Sequence, residues 1–181
     1  MNRTEQRSLI WAMVTKQPPK IIVGVDGSAA SIEALRQGQT IGAAIGATVE
    51  AWACWDFPAG YEAYLAAGID GFAHAAEEAL ESSMVKAFGP EQPRNVVRRL
   101  VHGPARTSLI EATRGAAMLV VGRRGHGGFG GLLLGSVSSA CVAHAHCPVL
   151  VVHAPEKFRD ESAGHDVTPR AYGLADPRSG M

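Results

Sequence analysis

The chain has no net charge to offer a polyanion. Lysine plus arginine and aspartate plus glutamate number 17 each among 181 residues, so nothing pulls it as a whole toward nucleic acid or an anionic membrane. Any phosphate binding has to come from a local site. Long apolar runs are missing too: no stretch approaches the roughly 18 residues of a membrane-spanning helix. Even so, 46% of the residues are apolar, ample for a globular core. Cysteine is scarce. Cys54, Cys141 and Cys147 are odd in number and lack CxxC spacing, which suits a reducing compartment better than a disulfide framework. A cleavage site is also lacking. Arg3 and Arg7 precede a short apolar run from Ser8 to Val14, as at the start of a signal peptide, but Gln17-Pro18-Pro19-Lys20 follows where small residues would be needed. Residues 1–19 therefore read as a cytosolic leader ahead of the domain.

Chemical signatures are missing as well. There is no internal repeat. Neither GxxxxGK[ST] nor GxGxxG occurs, which argues against a P-loop hydrolase or a classical dehydrogenase. No nucleophile, base and acid stand at an evident spacing, and no carboxylate pair marks metal-assisted hydrolysis. His144 and His146 are two residues apart on or near a helix and so point apart, which with His153 makes a poor zinc set.

What is present is a regular alternation. Ile21 to Val25 is a β-branched run closed by Asp26-Gly27-Ser28, the pattern of a strand buried on both faces. Ser28 is a candidate N-cap for a helix to about Gly46, with Gly42 and Gly46 weakening its last turns. Val49 to Trp55 reads as a second strand. A second helix spans residues 70–88, with Phe72, Ala76, Leu80, Met84 and Phe88 four apart. Val96 to His102 reads as a third strand, whose Arg98 and Arg99 suggest a sheet edge. Gly103-Pro104 opens a third helix with proline in its first turn. Ala117 to Val121 is a fully apolar fourth strand, Ser136 to Ala145 a fourth helix and Pro148 to His153 a fifth strand. Strands alternating with helices imply a parallel sheet with helices on both faces, in one domain over residues 20–154. Residues 155–181 are charged, contain Pro169 and Pro177, and have almost no periodic apolar face. They are expected to form a disordered tail.

The strongest chemical signal is Gly122-Arg123-Arg124-Gly125, nine further residues, then Gly135-Ser136-Val137-Ser138. This glycine-rich loop leaves a buried strand and enters a helix. Glycines let backbone N–H groups approach phosphate oxygens with no Cβ in the way, and the first turn of the following helix adds free N–H groups and partial positive charge. Ser136 and Ser138 could donate hydroxyl hydrogen bonds to the same oxygens. The alternative is a surface loop with an ordinary serine cap. Arg123 and Arg124 could add positive charge, though exposed loop arginines are usually just solvated. His126, between glycines, could reach a terminal phosphate, act as a base, or be a plain exposed loop histidine.

Gly-x2-Gly-x9-Gly-Ser after a buried strand resembles the ATP-binding signature of universal stress proteins. The resemblance runs from Lys20 to Ala154. It takes in Ile22-Val23-Gly24-Val25-Asp26-Gly27-Ser28, the Gly103-Pro104 turn, Cys147-Pro148-Val149-Leu150-Val151-Val152, and Arg124-Gly125-His126-Gly127-Gly128-Phe129, which is similar to actinobacterial members. It implies an open parallel five-stranded α/β sheet of order 3-2-1-4-5, like that of adenine nucleotide α-hydrolases. It also implies ATP as ligand with Mg²⁺ optional, at most slow hydrolysis, and a homodimer through the fifth strand. By the resemblance, Gly24, Val25 and Asp26 would line the nucleotide. The main chain at Cys54 would meet the adenine edge, and Val121, Gly122, Gly125, Gly127 and Gly128 would face ribose and phosphates. Read from the residues alone, Asp26 is equally a turn residue before Gly27, and Cys54 a packing residue. Competing readings are an adenine nucleotide α-hydrolase-like enzyme, which would need an SGGxDS-type N-terminal loop that this chain lacks, a nucleotide-free interaction module, and a flavin binder. The regulatory partner and the inducing stress are not written in the sequence.

Overall fold

A computed structural model describes residues 18–57, 70–125 and 133–154. Residues 1–17 of the leader, the tail and the loop positions His126, Gly127 and Gly128 lie outside the described residues.

Among the described residues, five strands and four helices alternate. They are β1 (Lys20–Gly24), α1 (Ala29–Ile45), β2 (Thr48–Trp55), α2 (Asp70–Phe88), β3 (Val96–His102), α3 (Ala105–Ala112), β4 (Met118–Gly122), α4 (Ser136–His144) and β5 (Val149–Val152). The strands form one sheet in the order β3-β2-β1-β4-β5, and every pairing is parallel. Ile22 lies between Glu50 of β2 and Leu119 of β4, which fixes the register at the centre.

The apolar runs are buried on both faces, as a parallel sheet requires. On one face Ile21, Val23, Val49, Ala51 and Val120 pack against Ala34 and Leu35 of α1 and Leu80 and Met84 of α2. On the other, Ile22, Leu119 and Val121 meet Leu109 of α3 and Cys141 of α4. Ile21, Ile22 and Leu119 are wholly buried, each burial contributing roughly 1.5–3 kcal/mol. β3 is an edge strand. Its Arg99 reaches Glu50 at 3.4 Å and its Arg98 reaches Glu81 at 3.9 Å.

α1 runs through Gly42 to Ile45 and ends at Gly46, as the sequence suggested; Gly46 takes the left-handed conformation (φ 66°) and donates its N–H to the Gly42 carbonyl. Gly42 is there for contact, since a Cβ would lie 2.5 Å from Val49 Cγ2. Pro104 is the N-cap of α3, not a first-turn residue, because its ψ of 126° is extended and helical geometry starts at Ala105.

Candidate functional site

The sheet order reverses between β1 and β4, one strand's connection leaving toward β2 and the other's toward β5. A crevice opens at the carboxyl ends of strands flanking such a reversal. Here it is a cavity of about 650 Å³.

Its floor is the end of β1. Gly24, Val25 and Asp26 all line it. Val25 N–H still pairs with the Trp52 carbonyl at 2.9 Å, and there the β1–β2 pairing ends. In a parallel ladder alternate residues face the same neighbour. Cys54, two residues beyond Trp52, therefore turns its peptide groups toward the space where β1 has stopped, and Cys54 lines the cavity. Burial pushes the Cys54 thiol up to about 11, against the opposing effect of a Ser108 hydrogen bond, so it stays a thiol at neutral pH. Cys54 thus combines main-chain groups aimed at the cavity with a side chain packed as an inert small hydrophobe.

Asp26 builds the turn that starts α1. Its carboxylate accepts the Ser28 N–H at 3.0 Å and the Ser28 hydroxyl at 2.6 Å, while Gly27 takes φ 86°. Ser28 Oγ in turn accepts the Ser31 N–H at 3.2 Å as the helix cap. A Cβ on Gly125 would collide with the Asp26 carboxylate, so the glycine loop lies directly on this turn. Asp26 is both a turn residue and a wall of the cavity.

The opposite wall is the end of β4 and the start of α4. Val121, Gly122, Arg124 and Gly125 line it, as do Gly135, Ser136, Val137 and Ser138. A Cβ on Gly122 would lie 2.8 Å from Ala30 Cβ, so this glycine lets β4 end against the first turn of α1. The Gly135 N–H closes the loop onto the Arg123 carbonyl at 2.9 Å. Gly135 caps α4 with no side-chain hydrogen bond, and no acidic residue sits in the first turn of α1, α3 or α4. Three helix starts thus border one cavity: at α1 the Asp26 carboxylate already accepts the Ser28 N–H and hydroxyl, whereas α3 and α4 carry no carboxylate in their first turns and keep their partial positive charge toward the cavity. Such a place favours an anion.

The two serines of α4 separate. The Ser138 hydroxyl donates to the Gly122 carbonyl at 2.6 Å and the residue is buried, so its proton ties α4 to β4 and is not offered to a ligand. The adjacent arginines separate as well. Arg124 lines the cavity. Arg123 is not among the lining residues, and its N–H donates to the Val152 carbonyl at 2.6 Å, holding the loop to β5.

Sequence reasoning missed the third wall. Ala75, Ala76 and Ala79 of α2 line the cavity beside Trp52 and Cys54. The available signal was the run of small residues in α2 ahead of Leu80 and Met84, which leaves room at one end of a helix whose other end is packed.

The family model described as the universal stress protein family matches residues 19–153. The chain belongs to the universal stress protein family. A universal stress protein of Mycobacterium tuberculosis is 36% identical over 110 residues, which cover 60% of this chain and 33% of its own length. The chain spans between a third and a half of the length of such curated relatives. In fold it is similar to the universal stress protein UspA of Lactobacillus plantarum, with a TM-score of 0.62, 21% identity and coverage of 76% of this chain and 99% of that one. It is also similar to a universal stress protein of Archaeoglobus fulgidus in complex with dAMP, with a TM-score of 0.53, 17% identity and coverage of 75% and 98%. The parallel sheet of order β3-β2-β1-β4-β5 is the universal stress protein fold that the sequence resemblance implied. Among the described residues of this family member no helix is long and apolar enough to cross a membrane.

Proposed function

We propose that this universal stress protein binds ATP in the cavity at the β1/β4 reversal and acts as a nucleotide-dependent regulator. The observation that carries the reading is the meeting of the α3 and α4 starts, with no carboxylate in either first turn, on a cavity walled by Gly122, Arg124, Gly125, Gly135 and Ser136. In this arrangement the main chain at Cys54 meets the adenine edge and the Asp26 turn lies by the ribose. The α4 start and the loop N–H groups hold the phosphates, with Mg²⁺ optional. The fold relative from Archaeoglobus fulgidus holds an adenine nucleotide, dAMP, which supports an adenine-type ligand. The output is a ligand-dependent conformation or partner choice in the cytoplasm, with hydrolysis at most slow. Calorimetric titration with ATP, adenosine and GTP tests the reading. ATP should bind more tightly than adenosine, and GTP should bind weakly.

Residues 20–154 would act as one unit, assembled as a homodimer through β5. This strand is a sheet edge of Val149, Leu150, Val151 and Val152, without charge and only partly covered for its first three residues. An apolar edge of this kind invites strand pairing, and two copies can cover each other about a twofold axis. Sedimentation should give a dimer for the full chain and a monomer for Val151→Lys. A monomeric wild type at micromolar concentration would refute the dimer.

A further inference from the structure

We propose that Arg124 reads the phosphorylation state of the ligand, binding polyphosphate oxygens through its guanidinium and making the cavity select polyphosphorylated over unphosphorylated nucleosides. The inference rests on the ATP reading above and goes beyond it, by assigning selectivity to one side chain.

Arg124 Nε is buried and has no hydrogen-bond partner among the described residues. None of the ion pairs among those residues uses Arg124. A guanidinium cannot shed its charge at neutral pH. The residue as a whole is half-buried, so the cost falls on its Nε–H, a buried donor without an acceptor. Such an arrangement is a cost in the free protein that an anionic acceptor would remove.

The surroundings hold the arginine's backbone in place. Its loop is pinned on both sides. The Ser28 hydroxyl lies 3.5 Å from the Arg124 carbonyl, Gly125 lies on the Asp26 carboxylate, and Gly135 packs close to Arg124 Cα. The backbone on either side of Arg124 is thereby fixed, and the residue forms part of the cavity wall. The cavity's carboxylate, Asp26, is engaged by the Ser28 N–H and hydroxyl. The backbone cradle supplies dipoles, which bind a phosphate of any charge. Arg124 supplies a full charge and a planar fork that suits phosphate oxygens, so its contribution grows with the number of phosphates and vanishes for a nucleoside. Arg123, one residue earlier, is not among the lining residues and provides an internal control.

The test measures dissociation constants for ATP, adenosine and inorganic tripolyphosphate, with melting temperatures, for wild type, Arg124→Gln, Arg124→Lys and Arg123→Gln. In Arg124→Gln, ATP and tripolyphosphate should bind roughly 10- to 100-fold more weakly, with adenosine unchanged. The ligand-free protein should melt no lower than wild type. Arg124→Lys should fall between, and Arg123→Gln should match wild type. An ATP-to-adenosine preference kept in full by Arg124→Gln overturns the proposal while leaving ATP binding in place. Equal losses for ATP and adenosine, with a lower melting temperature, overturn it in favour of a structural arginine. Tripolyphosphate binding that depends on Arg124, without adenosine binding, supports it and overturns the adenine reading. A wild type that binds none of the three overturns both.

Discussion

Gly42 and Gly135 are the same residue type used in opposite ways. Gly42 is buried in α1, and a Cβ there would stand 2.5 Å from Val49 Cγ2. It exists so that a helix can lie close on a sheet. Gly135 precedes α4 at an ordinary φ of −69°, and among the described residues a Cβ there would meet nothing nearer than 3.5 Å. The fold does not need it to be glycine. Gly135 lines the cavity, so on the proposed reading it is the ligand, not the fold, that requires glycine there. Gly122 lies between the two cases, because its missing Cβ leaves room for Ala30 of α1 and for the cavity together.

The sharpest way to break this comparison is Gly135→Glu. It should fold with a melting temperature close to wild type, yet lose ATP affinity by about 100-fold or more, since a carboxylate would stand where phosphate charge must sit. Thermal melting and calorimetry on the same sample read both halves. A large loss of stability would move Gly135 into the structural class. The reciprocal variant, Gly42→Val, should lower unfolding stability by roughly 1–3 kcal/mol through overpacking against Val49 and leave the ATP affinity of the folded molecules unchanged. Urea unfolding followed by titration would show whether the core glycine also governs the site.

The smallest expected effects divide the two serines of α4. Ser136→Ala should weaken ATP binding by a few-fold, corresponding to the roughly 0.5–1.5 kcal/mol of one neutral hydrogen bond, with stability unaltered. Ser138→Ala should instead cost stability, of the order of 1 kcal/mol, because the Gly122 carbonyl loses its 2.6 Å donor. If both variants weaken ATP binding equally and neither alters stability, the division is wrong.

Much of this was legible in advance. The β-branched run Ile21 to Val25 and the apolar run to Val121 could hardly be anything but buried strands. Glycine spacing marked the loop that walls the cavity. Other features were hidden for definite reasons. Arg123 and Arg124 are neighbours of identical chemistry, and which one faces the cavity depends on loop dihedrals that composition does not encode. The hydroxyl of Ser138 turns inward because the Gly122 carbonyl, sixteen residues away in sequence, happens to end a strand beside it. The alanines of α2 carry no chemistry of their own, so their role as a wall emerges only once the sheet places Trp52 and Cys54 opposite them.

The central claim is that the cavity at the β1/β4 reversal is an adenine nucleotide site. Native mass spectrometry of freshly purified full-length chain, followed by denaturation and identification of what is released, addresses it most directly. The account predicts ATP recovered with wild type and absent from Gly135→Glu. A folded wild type that releases no nucleotide and takes up none from added ATP would contradict it.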